Sequence, residues 1–144
     1  MMSDDHFNLL RFVHAQDPVY STVLKELRNG RKESHWMWYI FPQIVGLGRS
    51  EISRYYAIKN IDEAKAYLEH PILRSRLEEC LTIVLNCNIT NPVRIFGDDS
   101  LKFHSCLTLF SIADPDNELF RTALTKFYGS EDFSTEHIIA NQHH

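Results

Sequence analysis

The 144-residue sequence has no apolar run near the roughly 20 residues that a membrane-spanning helix requires. Its opening, Met1-Met2-Ser3-Asp4-Asp5-His6, has neither the basic nor the apolar stretch of a secretory signal. Both absences point away from a membrane and from export, so a cytoplasmic location is expected. Cysteine is scarce: Cys80, Cys87 and Cys106 are odd in number and form no C-x-x-C pair. That pattern does not give a disulfide framework, and the three read as reduced core residues. The eight histidines are scattered without carboxylate neighbours at ligand spacing, so neither a metal nor a cofactor is expected. Repeats and linker-like stretches are missing as well.

What is present is ordinary globular composition, 44% hydrophobic and 24% charged. A chain of this length buries roughly two-thirds of its unfolded surface in one core, and residues 1–144 are read as a single domain. The net charge of −4 excludes a general nucleic-acid-coating surface, but the charge is unevenly spread. Between Lys25 and Lys59 there are seven Lys or Arg and three acids, a local balance of +4 that leaves −8 for the remainder. A basic middle in an acidic chain fits either a local anionic ligand or a dispersed set of solvated cations.

Helix starts recur as a capping residue followed by proline, whose missing N–H costs nothing at the first helical position. Asp17-Pro18 precedes Tyr20, Val23, Leu24 and Leu27 at helical spacing, closed by Gly30. His70-Pro71, Asn91-Pro92 and Asp114-Pro115 repeat the device, and Asn60 with Glu63 forms a capping box. Asp98 or Asp99 is placed to cap a helix carrying Phe103, Cys106, Leu107 and Phe110 inward. A first helix around Leu10 and a last one from about Ser134 complete the set. No stretch alternates with the period of a strand. The expected fold is all-α, an irregular compact bundle of about six to eight helices.

Residues Gly30 to Ser50 break the pattern. They hold both tryptophans, and Trp36, Trp38, Tyr39 and Phe41 point around more of a helix than one buried face accommodates. Either the group packs in the core, or Trp36 or Trp38 forms a wall on which a flat ring stacks. Gly46-Leu47-Gly48-Arg49-Ser50 permits close backbone approach, so it is either a plain turn or an anion-binding nest with Arg49 and Ser50 adding donors. His35 suits a general acid or base, or a structural histidine. Gln43 offers donors and acceptors for an amide or base edge, or a cap.

A second group lies at Asp98 to Thr108. Lys102, Ser105 and Thr108 share a helix face, with Ser105 and Thr108 between core residues where they can look into a cavity. Lys102 either pairs an anion, acts as an amine nucleophile, or bridges to Asp98 or Asp99.

The run Arg31-Lys32-x-Ser34-His35-Trp36-Met37-Trp38-Tyr39-x-Phe41-Pro42-Gln43-x-x-Gly46-Leu47-Gly48-x-Ser50 resembles the hallmark of a small bacterial family. The likeness continues through Arg54-Tyr55-Tyr56, Ile95-Phe96-Gly97, Asp99-x-x-Lys102-x-x-Ser105 and Phe127-Tyr128-Gly129. That family is a domain of unknown function which often carries the genome label "calpastatin". The compact, aromatic-rich composition is unlike a disordered inhibitor. Ser34-His35 and Gln43 are also loosely similar to the Glu-His-x-x-Gln-like motif of swarming-protein-type ADP-ribose-processing domains, although the glutamate is unmatched. That similarity implies a ribose-phosphate pocket and a broken N-glycosidic bond.

The leading functional expectation is therefore a pocket for a nucleotide-like or ADP-ribose-like anion, with an N-glycoside or ADP-ribosyl hydrolase as its enzymatic form. Lys32, Ser34, Trp36, Trp38, Gln43, Gly46, Gly48, Arg49, Ser50 and Ser105 are the candidate binding residues, and His35, Asp99 and Lys102 the candidate catalytic ones. The alternative is a non-catalytic module that docks a protein or peptide on its aromatic surface. Nucleic acid ranks last among the partners, and no membrane partner is expected.

Overall fold

The computed structural model describes residues 5–142, and its regular structure is helical. Two helices, α1 (Leu10–Gln16) and α2 (Tyr20–Arg28), lead into the aromatic segment, which holds a single turn, α3 (Met37–Ile40). After the glycine turn come α4 (Glu51–Tyr55), α5 (Ile61–Glu69) and α6 (Pro71–Asn86). The short α7 (Pro92–Phe96) and a 3-10 turn over Gly97–Asp99 precede α8 (Ser100–Ala113), α9 (Glu118–Phe127) and α10 (Phe133–Asn141).

The all-α expectation holds. Seven of these helices span seven residues or more, within the six to eight expected, and the additional three, α3, α4 and α7, have only four or five. Among the described residues the one strand-like feature is an isolated parallel bridge between Ile44 and Ile58. No helix there is long and apolar enough to cross a membrane.

The caps explain most boundaries. The Asn60 side chain accepts from Glu63 N, His70 from Leu73 N, and Asn91 from Val93 N, so three expected starts fall where the side chains put them. Two others shift. Asp17 is taken by Arg76 at 2.7 Å, and α2 opens only at Tyr20. Asn117, not Asp114, accepts from Leu119 N, so α9 starts at Glu118. Asp99 precedes α8 without capping it by a side-chain bond, because two lysines occupy its carboxylate.

Helix α8 is the axis of the core. Ten of its fourteen residues are buried, and α5, α9 and α10 pack around it. The aromatic segment anchors there: the Phe41 ring stands edge-on to Phe103, with centroids 5.1 Å apart, and Phe103 stacks on Phe96 at 4.3 Å. Two charges are also inside. Arg11 and Glu63 form a buried ion pair at 2.8 Å. Arg11 donates further to the carbonyls of Phe7, Asn8, Tyr55 and Ala57, while Glu63 accepts from Lys59 N. Such saturation is what lets a charge persist in a core. Among the described residues no buried side-chain nitrogen or oxygen lacks a partner.

Candidate functional site

The segment after Gly30 owes its shape to Glu26, which lies on the buried face of α2 beside Val23 and Leu27. Its carboxylate accepts from Glu33 N at 2.8 Å, Ser34 N at 2.9 Å, Ser34 Oγ at 2.5 Å and Trp36 Nε1 at 3.0 Å. Burial alone raises such a carboxyl; the donors from Ser34, Glu33 and Trp36 outweigh it and hold Glu26 at about 2. The loop is thus folded onto a fixed negative charge. Trp36 is 1% exposed, its indole fills the core, and no face is open for stacking. Ser34 belongs to the same knot.

Lys32 carries the next link. Its amine forms a 2.9 Å ion pair with Asp99, donates to the Ser34 carbonyl and lies 5.0 Å from the centre of the Trp36 ring. Lys102 meets the other oxygen of Asp99 at 3.0 Å. Burial pushes the Asp99 carboxyl up, but the hydrogen bonds and charges of the two lysines outweigh this and keep it below the usual carboxylate range. The structure therefore brings Lys32, Ser34, Trp36, Asp99 and Lys102 into one connected cluster, though most of its polar atoms are engaged with one another.

Beside this cluster runs a groove of about 560 Å³ between the end of α2 and α7. Arg31, Lys32 and Arg94 line it, together with Gly30 and Gly97, and its lining contains no carboxylate. Gly30 has φ +71°, a backbone conformation that favours glycine at this point of the lining.

A second concavity joins four other candidates. Trp38, Gln43, Gly46 and Gly48 line a narrow cleft with Arg54 and Tyr56, whose space is only about 20 Å³, room for one water. Gly48 is required by close approach: a Cβ would fall 2.5 Å from Ser53 on α4. Trp38 is partly buried, so neither tryptophan forms an exposed patch.

The remaining candidates lie apart. His35 and Arg49 are exposed, with no side-chain hydrogen bond among the described residues. Ser50 caps α4, accepting from Ser53 N. Ser105 is buried and bonded to Thr135 at 2.9 Å, while Thr108 bonds the His104 carbonyl and accepts from Asp132 N. Both tie α8 to the start of α10, and the cavity expected beside them is filled by those partners. Cys80 and Cys106 are buried, Cys87 partly so, and all three are free. Among the described residues no group of three or more His, Cys, Asp or Glu is placed to hold a metal ion.

The candidate site residues did not include Glu26, Arg31, Arg54 or Arg94, although Arg31 and Arg54 stand in the family-like runs. For Glu26 a signal existed: an acid between Val23 and Leu27 on the apolar stripe of α2 is out of place unless it has buried donors. The arginines carried no comparable local mark.

A family model described as a protein of unknown function, DUF1810, matches residues 6–139, and the chain belongs to that family. It is similar along 94% of its length to the crystal structure, at 1.38 Å, of the conserved hypothetical protein Rv1873 from Mycobacterium tuberculosis. The two are 46% identical, the match covers 99% of that chain, and the TM-score is 0.92. Among curated proteins none matches the chain.

Proposed function

We propose that the domain binds a small nucleotide-like anion of the ADP-ribose type in the groove lined by Arg31, Lys32 and Arg94. One observation carries the reading: every charged side chain lining this groove is cationic, over a volume of about 560 Å³. That volume suits a compact organic ligand. Guanidinium forks pair two phosphate oxygens at once, and the buried Lys32, held by Asp99 and the Trp36 ring, adds a charge whose position is fixed.

The enzymatic form of this reading is hydrolysis of an N-glycosidic bond. Water adds to the sugar C1, the C1–N bond breaks with its electron pair going to nicotinamide, which leaves neutral, and the proton of the water passes to solvent. Asp99, kept ionised and paired with Lys32 of the groove, is the group suited to stabilise positive charge at C1. Lys102 orients that carboxylate.

Calorimetric titration with ADP-ribose tests the binding step. Arg31→Ala and Arg94→Ala are each expected to weaken it at least tenfold, and raised salt to weaken it further. Absence of binding, or binding by both variants as tight as by the unaltered chain, rejects the groove. Release of free base from NAD, followed by chromatography and compared with Asp99→Asn, tests the hydrolytic form.

A further inference from the structure

The cleft beside Trp38 is separate from that groove and has a different chemistry. Its polar lining is rich in donors: the Trp38 indole N–H, the Gln43 amide, the Arg54 guanidinium and the Tyr56 hydroxyl. None of these side-chain groups has a hydrogen-bond or ion-pair partner among the described residues. The backbone N–H groups of Gly46 and Gly48 are likewise without an acceptor there. Two comparable groups elsewhere in the molecule are engaged, Trp36 by Glu26 and Arg11 by Glu63. A cleft that gathers unengaged donors around one cation and has no carboxylate of its own is complementary to an oxyanion.

Size and charge narrow the class. The space of about 20 Å³ admits one oxygen-sized atom at its base, and Trp38 is part of its lining. A planar carboxylate enters such a slot edge-first, while a tetrahedral phosphate brings three free oxygens. Arg54 is the only charged side chain in the lining. It balances the single charge of a carboxylate and would leave a doubly charged phosphate half compensated. Its fork also matches a carboxylate in the plane. We propose that this cleft is a binding site for the carboxylate of a small organic acid, with Arg54 as its charge partner and Trp38, Gln43 and the Gly46–Gly48 turn as the surrounding donors. The site does not depend on the groove at Arg31 and Arg94.

The test is a titration of the ¹⁵N-labelled full chain with sodium acetate and, in parallel, sodium phosphate at constant ionic strength. The protein has two tryptophans, so Trp38→Phe assigns the two indole N–H signals. Acetate is expected to shift the Trp38 indole and the Gly46 and Gly48 amides with one saturating curve. Arg54→Ala is expected to weaken that curve at least tenfold, and Arg94→Ala to leave it unchanged. Arg54 is exposed, and an unchanged spectrum away from the cleft verifies that its variant folds. The assignment fails if acetate gives no saturable shift at these three groups. It fails equally if the shift survives Arg54→Ala, or if phosphate saturates the same signals more tightly than acetate.

Discussion

The indole nitrogen of Trp36 donates to a carboxylate oxygen of Glu26 across 3.0 Å, in a place where the indole is 1% and the glutamate 7% exposed. The bond fixes where the chain goes after α2. It directs the ring inward under Lys32, so that the amine sits over an aromatic face and against Asp99. One buried carboxylate thereby sets the position of the cation that lines the groove. Replacing Glu26 by Ala leaves four donors facing an apolar space, and each buried orphan costs about 1–3 kcal/mol before the loop relaxes. Glu26→Ala is expected to lower stability by about 3–5 kcal/mol in urea unfolding. Trp36→Phe, which removes one donor and some volume, is expected to cost about 1–3 kcal/mol.

The same carboxylate governs acid stability. Folded Glu26 titrates at about 2 against an ordinary 4.5, so the native state binds fewer protons than the unfolded chain between those values. Its contribution is complete above pH 4.5 and is lost as pH falls toward 2; the difference corresponds to about 3 kcal/mol. Asp99, also held low, acts with the same sign. Thermal melts from pH 7 to pH 2 are expected to show Tm falling steeply through this window. Glu26→Gln should begin with a lower Tm at pH 7 and show a shallower fall. Parallel curves for the two proteins would contradict the assignment.

How far the sequence revealed this molecule depends on the range of the interactions involved. Helix starts at Asn60, His70 and Asn91 were legible because a cap and the backbone N–H it accepts from lie within three residues. The Trp38 to Gly48 cleft was legible in part for the same reason, since six of its lining residues fall in one eleven-residue stretch. The groove was not: Arg31 and Arg94 meet only because α7 returns to the end of α2, where Lys32 N donates to the Ile95 carbonyl at 2.7 Å. Arg11 and Glu63 were invisible for another reason. A charged residue is solvated unless a partner far along the chain says otherwise, and here the partner is 52 residues away.

Thiol reactivity separates the three cysteines. Burial pushes the Cys80 thiol up to about 12 and the Cys106 thiol well above its ordinary value, so almost no thiolate forms at either at pH 8. Cys87 is partly exposed at the end of α6. At pH 8 a disulfide reagent is expected to titrate one thiol of the native protein quickly and all three only after unfolding. Loss of the fast phase in Cys87→Ser identifies it, whereas a fast phase surviving that change would place the reactive thiol in the core.

The lysines on Asp99 are unequal, and the difference is measurable. Lys32 is 7% exposed and Lys102 31%, so the first depends on Asp99 for compensation of its charge while water shares in solvating the second. A pair with an exposed member contributes about 0–1 kcal/mol, and Lys102→Ala is expected to fall in that range. Asp99→Ala removes the only carboxylate from a nearly buried amine that keeps just the Ser34 carbonyl and the Trp36 ring, and about 2–4 kcal/mol is expected. Adding Lys32→Met to Asp99→Ala removes the stranded charge, and the double variant should recover part of the loss. That recovery distinguishes an uncompensated charge from simple loss of packing, because a packing defect would deepen with the second substitution. If the double variant is less stable than Asp99→Ala alone, Lys32 is held by the Trp36 ring and the Ser34 carbonyl, and Asp99 owes its place beside it to Lys102.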